Sequence, residues 1–278
     1  MANVWRVPIL SDRTATWTDA EQLTFDEALI EFVDVSRDGQ KLLVSSNRAG
    51  NQDVWMVSVG ESDWLQLTSD LAPDWCPRWS PDGRGIAFYS YRSGHREIWT
   101  IPAGGGQARP VTQGALDARF PSWSPDGQYI AYWSGRSGNR DIWVVPSEGG
   151  EPRQVTNDPG LDTAPSWSPD GKWIVFSSTR VSGEYRLWRA PVSGGEPELL
   201  SKRRGVRHVW APDGRHIFYW ANPEFLAMTM EAGTERVVAD LSGRPGGFSE
   251  TLATDGTYLY FAWQEDLGDI WVMEVVTE

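Results

Sequence analysis

With 278 residues, 40% of them hydrophobic, the chain can bury the core of one large all-β domain or of two small ones. Its net charge of −13 argues against nucleic-acid backbones and anionic membranes as partners. One cysteine, Cys76, rules out an intrachain disulfide and a thiolate cluster, and no apolar run nears the roughly 18 residues of a membrane span.

The chain opens on "MANVWRVPIL", which lacks the basic and apolar regions of a signal peptide and alternates like a strand. An export signal or an upstream domain is therefore expected to have been trimmed away. "EQLTF" follows as a second short strand. From there one unit governs the sequence. Its turn glycine ends "SRDG" at Gly39, "SPDG" at Gly83, Gly127 and Gly171, "APDG" at Gly214 and "ATDG" at Gly256, at intervals of 44, 44, 44, 43 and 42 residues. An aliphatic residue and a tryptophan recur at Trp55, Trp99, Trp143, Trp188 and Trp271, and a threonine at Thr24, Thr68, Thr112 and Thr156. Three markers keep one period.

Within the third unit, "FPSWS", "YIAYWS", "DIWVVP" and "PRQVT" are strand-like segments joined by turn residues. Four strands of about five residues with four connections of similar length come to roughly 40, the size of a propeller blade. "PDG" is the hairpin turn between first and second strands, with glycine in the left-handed position. Trp79, Trp123, Trp167 and Trp210 fall on first strands and are expected to wedge between blades. Arg48, Arg92, Arg136 and Arg180 recur one period apart, and Asp53, Glu97 and Asp141 are expected to face them across the second hairpin. The last unit supplies "FSETLA", "TYLYFAW" and "DIWVMEV" and lacks a fourth strand. "EQLTF" is expected to fill it and close the ring. "NVWRVP" is then surplus, or competes with "DIWVMEV" for the third place.

The fold class is thus all-β: a six-bladed β-propeller of four-stranded antiparallel blades, one domain over residues 1–278, its ring closed by an N-terminal strand. The copies differ most before each first strand, in connections that run to the channel mouth. Asp34, Asp74, Trp75, Arg78, Arg119, Phe120, Asp162, Arg207, His208 and Glu250, together with Glu31, are expected to encircle that opening. Mixed charge beside two aromatic rings suits a peptide or a small polar ligand better than a catalytic pair.

Catalytic signatures are sparse. No G-x-S-x-G pentapeptide occurs, the three histidines lie in unrelated contexts, and no calcium loop is present. The glycine pairs at Gly149 and Gly194 read as turns, not phosphate cradles. No catalytic residue, metal or cofactor is expected.

"WSPDGKWIVFSSTR" (Trp167 to Arg180) and "WSPDGQYIAYWSGRSGNRDIW" (Trp123 to Trp143) resemble the TolB-type (WD-like) β-propeller repeat almost residue for residue. The resemblance covers nearly the whole chain and implies six blades, an extracytoplasmic setting in bacteria and work done by binding partner proteins. The separate N-terminal α/β domain of TolB is not matched here, so TolB's specific role is not implied. The resulting expectation is a monomeric, non-catalytic module that binds a protein, a peptide or a small polar ligand, with no nucleic acid and no membrane insertion. Two alternatives stay open: a propeller-only lyase or hydrolase using the same mouth, and the sensor domain of a longer signalling protein.

Overall fold

The computed structural model describes residues 2–25, 27–61 and 63–265. Among these residues there are six sheets, antiparallel except for one short parallel edge strand on the fifth, no α-helix, and one 3-10 turn at Trp17–Asp19. Blade 1 comprises Ile30–Val35, Lys41–Ser46, Asp53–Ser58 and Trp64–Gln66. Blade 2 comprises Asp74–Trp79, Gly85–Ser90, Glu97–Pro102 and Arg109–Pro110. Blade 3 comprises Arg119–Trp123, Tyr129–Ser134, Asp141–Pro146 and Arg153–Gln154. Blade 4 comprises Asp162–Trp167, Trp173–Ser178, Arg186–Pro191 and Glu198–Leu199. Blade 5 comprises Val206–Trp210, His216–Ala221, Glu224–Thr229 and Glu235–Asp240. Each first strand touches the first strands of both neighbouring blades, and the circuit returns to blade 1 through Gly247–Thr254, the first strand of blade 6. The first strands therefore ring a central channel.

Two repeated devices explain the markers. In "SPDG" the Ser80 hydroxyl donates to Asp82 Oδ1 at 2.6 Å and accepts from the Gly85 amide at 2.8 Å, while Asp82 Oδ1 also accepts from the Arg84 amide. Gly83 sits at φ 70°, which a larger residue would resist. Ser124 with Asp126 and Ser168 with Asp170 repeat the bond at 2.6 Å. The repeated threonine closes the other end of the blade. Thr68, Thr112 and Thr156 each accept the first ladder amide of the third strand (Val54, Ile98, Ile142) at 2.9 Å.

Blade 6 takes strands from both ends of the sequence, in the order Gly247–Thr254, Tyr258–Gln264, Ala2–Pro8 and Glu21–Gln22. "NVWRVP" is not surplus. It is the third strand, paired from Ala2↔Gln264 to Pro8↔Tyr258, and "EQ" of "EQLTF" pairs beyond it as the fourth. Thr24 accepts the Val4 amide at 2.9 Å, the same bond as in blades 1 to 3. "DIWVMEV" lies outside the described residues. Between these two N-terminal strands the chain swings sideways. Ala15–Thr16 pairs in parallel with the outer strand of blade 5, and Trp17 Nε1 donates to the Leu241 carbonyl at 2.7 Å.

The core lies between blades. Trp79 packs on a cluster shared by blades 1 and 2, Trp123 and Trp167 on one that reaches from Phe32 of blade 1 through blades 2 to 4, and Trp210 on one between blades 4 and 5. These are the expected wedges.

The repeated arginines are organised otherwise than expected. Arg92 pairs with Asp74 at 2.6 Å and Arg180 with Asp162 at 2.8 Å, both acids on first strands and fully buried. Each guanidinium also covers its third-strand tryptophan, Arg92 over Trp99 at 5.0 Å and Arg180 over Trp188 at 4.8 Å. Asp53 and Asp141 instead accept from the outer-strand amides of Gln66 and Gln154, and Glu97 from Thr112. The hairpin pairing fails because the end of the second strand lies beside the start of the first, so the cross-strand neighbour comes from 18 residues earlier.

Candidate functional site at the channel mouth

A bulge in the first strand shapes the mouth. In blades 2 to 5 its register against the second strand shifts between Trp75 and Arg78, Arg119 and Ser122, Thr163 and Ser166, and Val206 and His208. Within each shift one non-glycine residue is left-handed: Cys76 (φ 54°), Phe120 (55°), Ala164 (51°) and Arg207 (51°). Such a conformation costs about 1–2 kcal/mol per residue, and bulges re-aim the side chains beside them. Here Trp75, Arg119, Thr163 and Val206, with Glu31 of blade 1, line a cavity of about 410 Å³ at one end of the channel.

The walls combine aromatic rings with charge. Tyr89 stacks between Trp75, at 5.4 Å between centroids, and Phe120, at 6.3 Å, and Phe32 meets Phe120 edge-on at 5.8 Å. Four arginines join them: Arg96, Arg119, Arg140 and Arg207. Arg207 pairs with Glu250 and lies over the Phe120 ring at 4.9 Å. Arg119 grips Asp117 through two bonds of 2.8 Å, and Arg96 reaches the same carboxylate at 3.0 Å. Burial alone would raise Asp117, but Arg119 and Arg96 outweigh it and hold the carboxyl below its usual range. Arg140 has no carboxylate partner among the described residues; its guanidinium lies 4.9 Å from the centroid of Trp133. Glu31 accepts from Gln52 at 2.8 Å and from the Trp75 indole at 3.1 Å. Its carboxyl is raised, first by burial and further by the charge of Glu250. On a chain of net charge −13, this is a mouth where cations match or exceed anions.

The expected residues divide into three groups. Trp75, Arg119, Phe120, Arg207 and Glu250, with Glu31, line the mouth. Asp34, Arg78 and His208 lie deeper, around a narrower space of about 120 Å³ that Phe120 and Arg207 also border. There Arg78 stands 3.5 Å from Asp34, whose carboxyl burial nevertheless raises. His208 Nε2 donates to the Val175 carbonyl at 3.2 Å, and burial pushes the ring down to about 4, so it is neutral at physiological pH. Asp74 and Asp162 do not reach the opening. They are the buried partners of Arg92 and Arg180, a correction that follows from their place before the bulge.

Arg96, Arg140 and Tyr185 of the mouth went unnoticed in the sequence. With Gln52 they occupy one position, just before the third strand, and they differ from blade to blade: Gln, Arg, Arg, Tyr. The contrast between copies that marked the first-strand connections is present there too. Among the described residues no group of three or more His, Cys, Asp or Glu side chains is arranged to hold a metal ion. No helix among them is long and apolar enough to cross a membrane.

Residues 33–134 match the family model of the TolB beta propeller domain, and residues 97–229 that of the tricorn protease N-terminal beta propeller domain. No curated protein matches the chain. Among solved structures, a putative TolB from Agrobacterium tumefaciens is 23% identical with a TM-score of 0.78, over 94% of this chain and 97% of that one. TolB from Acinetobacter baumannii is 20% identical with a TM-score of 0.63, over 85% of this chain and 63% of its own. An oligogalacturonate lyase from Vibrio parahaemolyticus is 13% identical with a TM-score of 0.55, over 96% of this chain and 98% of that one. At these identities the likeness is one of fold.

Proposed function

We propose that this chain, a β-propeller of the TolB repeat type, is a non-catalytic binding module that takes an acidic peptide segment or a small carboxylate-bearing ligand at its channel mouth. The observation that carries the reading is the pairing of Arg140, free of any carboxylate partner among the described residues, with the aromatic band of Trp75, Tyr89 and Phe120 in one cavity. Aromatic rings supply contact area at small entropic cost. Arginine supplies a planar, charge-assisted fork for a carboxylate. The frame repeats while the mouth varies, so the mouth is where selectivity can reside. Pairing of Arg207 with Glu250 and of Arg119 with Asp117 keeps those arginines oriented before a ligand arrives.

The test begins with a partner captured by pull-down on the immobilised chain. Trp75→Ala combined with Arg140→Ala should weaken that partner at least tenfold, about 1.4 kcal/mol, with cooperative unfolding retained at a somewhat lower melting temperature, because Trp75 also stacks on Tyr89. Unchanged affinity in this double variant, with loss from outer-strand substitutions instead, would move the site to the side of the propeller.

A further inference from the structure

On the face of the ring that carries the "SPDG" turns, a groove of about 610 Å³ runs between blades 2 and 3, lined by Gly85, Pro102, Arg109, Trp123 and Pro125 among others. Its cause can be read from the repeats. The second residue after each turn glycine is Lys41, Gly85, Tyr129, Trp173, His216 and Tyr258 in blades 1 to 6. In blades 3, 4 and 6 this ring stands directly across from a proline of the third strand: Tyr129↔Pro146, Trp173↔Pro191 and Tyr258↔Pro8. In blade 2 the rung is Gly85↔Pro102, and the ring is missing.

Blades 4 and 6 also place a cation on that ring. Arg189, held by Glu198 at 2.6 Å, lies 4.2 Å from the centroid of Trp173, and Arg6, held by Glu21 at 2.7 Å, lies 4.4 Å from that of Tyr258. Blade 2 keeps the cation with the two strands exchanged. Arg109 on the fourth strand pairs with Thr100, which occupies the position of Arg189 and Arg6; its Nε donates to the Thr100 hydroxyl at 3.2 Å, and Nη2 to Glu148 of blade 3 at 2.7 Å. Among the described residues it covers no ring.

Gly85 is not required by its backbone, because its φ is not positive. The nearest neighbours of a Cβ there would be Ser80 Oγ at 3.5 Å, Ser80 Cβ at 3.7 Å and Trp123 Cζ2 at 3.9 Å, all ordinary contacts. What the glycine provides is space.

We propose that this groove binds a planar aromatic ring, the tryptophan or tyrosine side chain of a partner polypeptide, in the place where blades 3, 4 and 6 carry a ring of their own. The ring would lie against Pro102 and the edge of Trp123, with the anchored Arg109 guanidinium over its face. The groove holds more than a ring, and Asp82, Arg84 and Asp126 along its rim offer hydrogen-bonding groups to the flanking peptide backbone. That favours a side chain on a polypeptide over a free aromatic molecule. This site is separate from the channel mouth and stands independently of it.

The experiment uses the whole chain, labelled with 15N, and acetyl-Ala-Trp-Ala-amide as probe. Saturable shifts of the Gly85 amide and the Trp123 indole N–H are expected, with acetyl-Ala-Leu-Ala-amide and 3-methylindole each binding at least tenfold more weakly. Gly85→Tyr, which restores the residue type of blades 3 and 6, should keep or raise the melting temperature and abolish those shifts. Arg109→Gln, which leaves the groove open, should weaken the probe several-fold and guards against misfolding of the first variant. The proposal fails if the leucine peptide binds equally, if Gly85→Tyr binds as well as the wild type, or if the shifts appear only at Trp75 and Phe120. Equal binding by 3-methylindole would overturn the polypeptide occupant.

Discussion

At Arg180 one guanidinium makes an ion pair with the fully buried Asp162, a bond from Nε to the Ser178 hydroxyl at 3.0 Å and a stack on Trp188, and its side chain is only 9% exposed. Arg136 keeps the stack, on Trp143 at 5.1 Å, but blade 3 has Ala118 where blades 2 and 4 have aspartate. Removing Arg180 would strand a buried carboxylate, at a cost of about 3 kcal/mol or more. Removing Arg136 strands no buried carboxylate; it forfeits the cation–π contact, about 1 kcal/mol, and an interaction with the Tyr132 hydroxyl. Urea unfolding of Arg180→Ala and Arg136→Ala should therefore separate the two clearly, and equal losses would mean that the stack alone matters. Asp53 gives a pH-dependent counterpart. Burial, then repulsion from Asp74, lifts its carboxyl to about 6, whereas in the unfolded chain it titrates near 4. The folded state thus holds a proton that the unfolded chain has released between those values. The stability it contributes is full below about pH 4 and is lost as pH rises through about 6. Asp53→Asn, which keeps an oxygen for Gln66, should raise the melting temperature at about pH 8 and leave it nearly unchanged near pH 4. The recurrence of Arg92 and Arg180 was legible in the sequence, but their partners were not. Spacing along a chain shows a repeat, whereas the choice between two nearby acids is made by which strand ends lie side by side.

Among the elements, the segment from Ala2 to Gln22 has the most unusual work. Ala2–Pro8 is bonded on both edges, and Trp17 packs edge-on against Trp5 at 5.4 Å and Trp263 at 4.8 Å. Arg244 covers the rings of both Trp5 and Trp17. A chain lacking residues 1–26 loses two of the four strands of blade 6 and the strap on blade 5, and exposes the edge of Tyr258–Gln264. It should aggregate or lose cooperative unfolding, as followed by tryptophan fluorescence; melting at the wild-type temperature would contradict the closure. That "EQLTF" closes the ring was readable from its threonine. The place of "NVWRVP" was not, because any third strand shows the same alternation, and only its pairing with Tyr258–Gln264 fixes which blade it serves. The sideways excursion to blade 5 has no counterpart in the other units and left no repeat to recognise.

For the molecule as a whole, six glycines at 42 to 44 residue intervals carried the architecture, because a turn that demands a left-handed residue is stated in the letters themselves. The mouth was half legible. Positions that differ between copies pointed to Trp75, Arg119 and Glu250, yet nothing local separates Asp74, turned inward before the bulge, from Trp75 beside it. The shared blade 6 has a further consequence, in time. A ribosome completes Ala2–Pro8 and Glu21–Gln22 first, and their partner Tyr258–Gln264 more than two hundred residues later. At about 5–20 residues per second, Val4, Trp5 and Val7 wait on the order of 10–50 s for the strand that will cover them. During that interval blades 1 to 5 can form an arc with two raw ends, and the apolar strand Ala2–Pro8 stays unpaired on the side facing its missing partner. The nascent chain, rather than the finished ring, is the form of this protein most in need of protection.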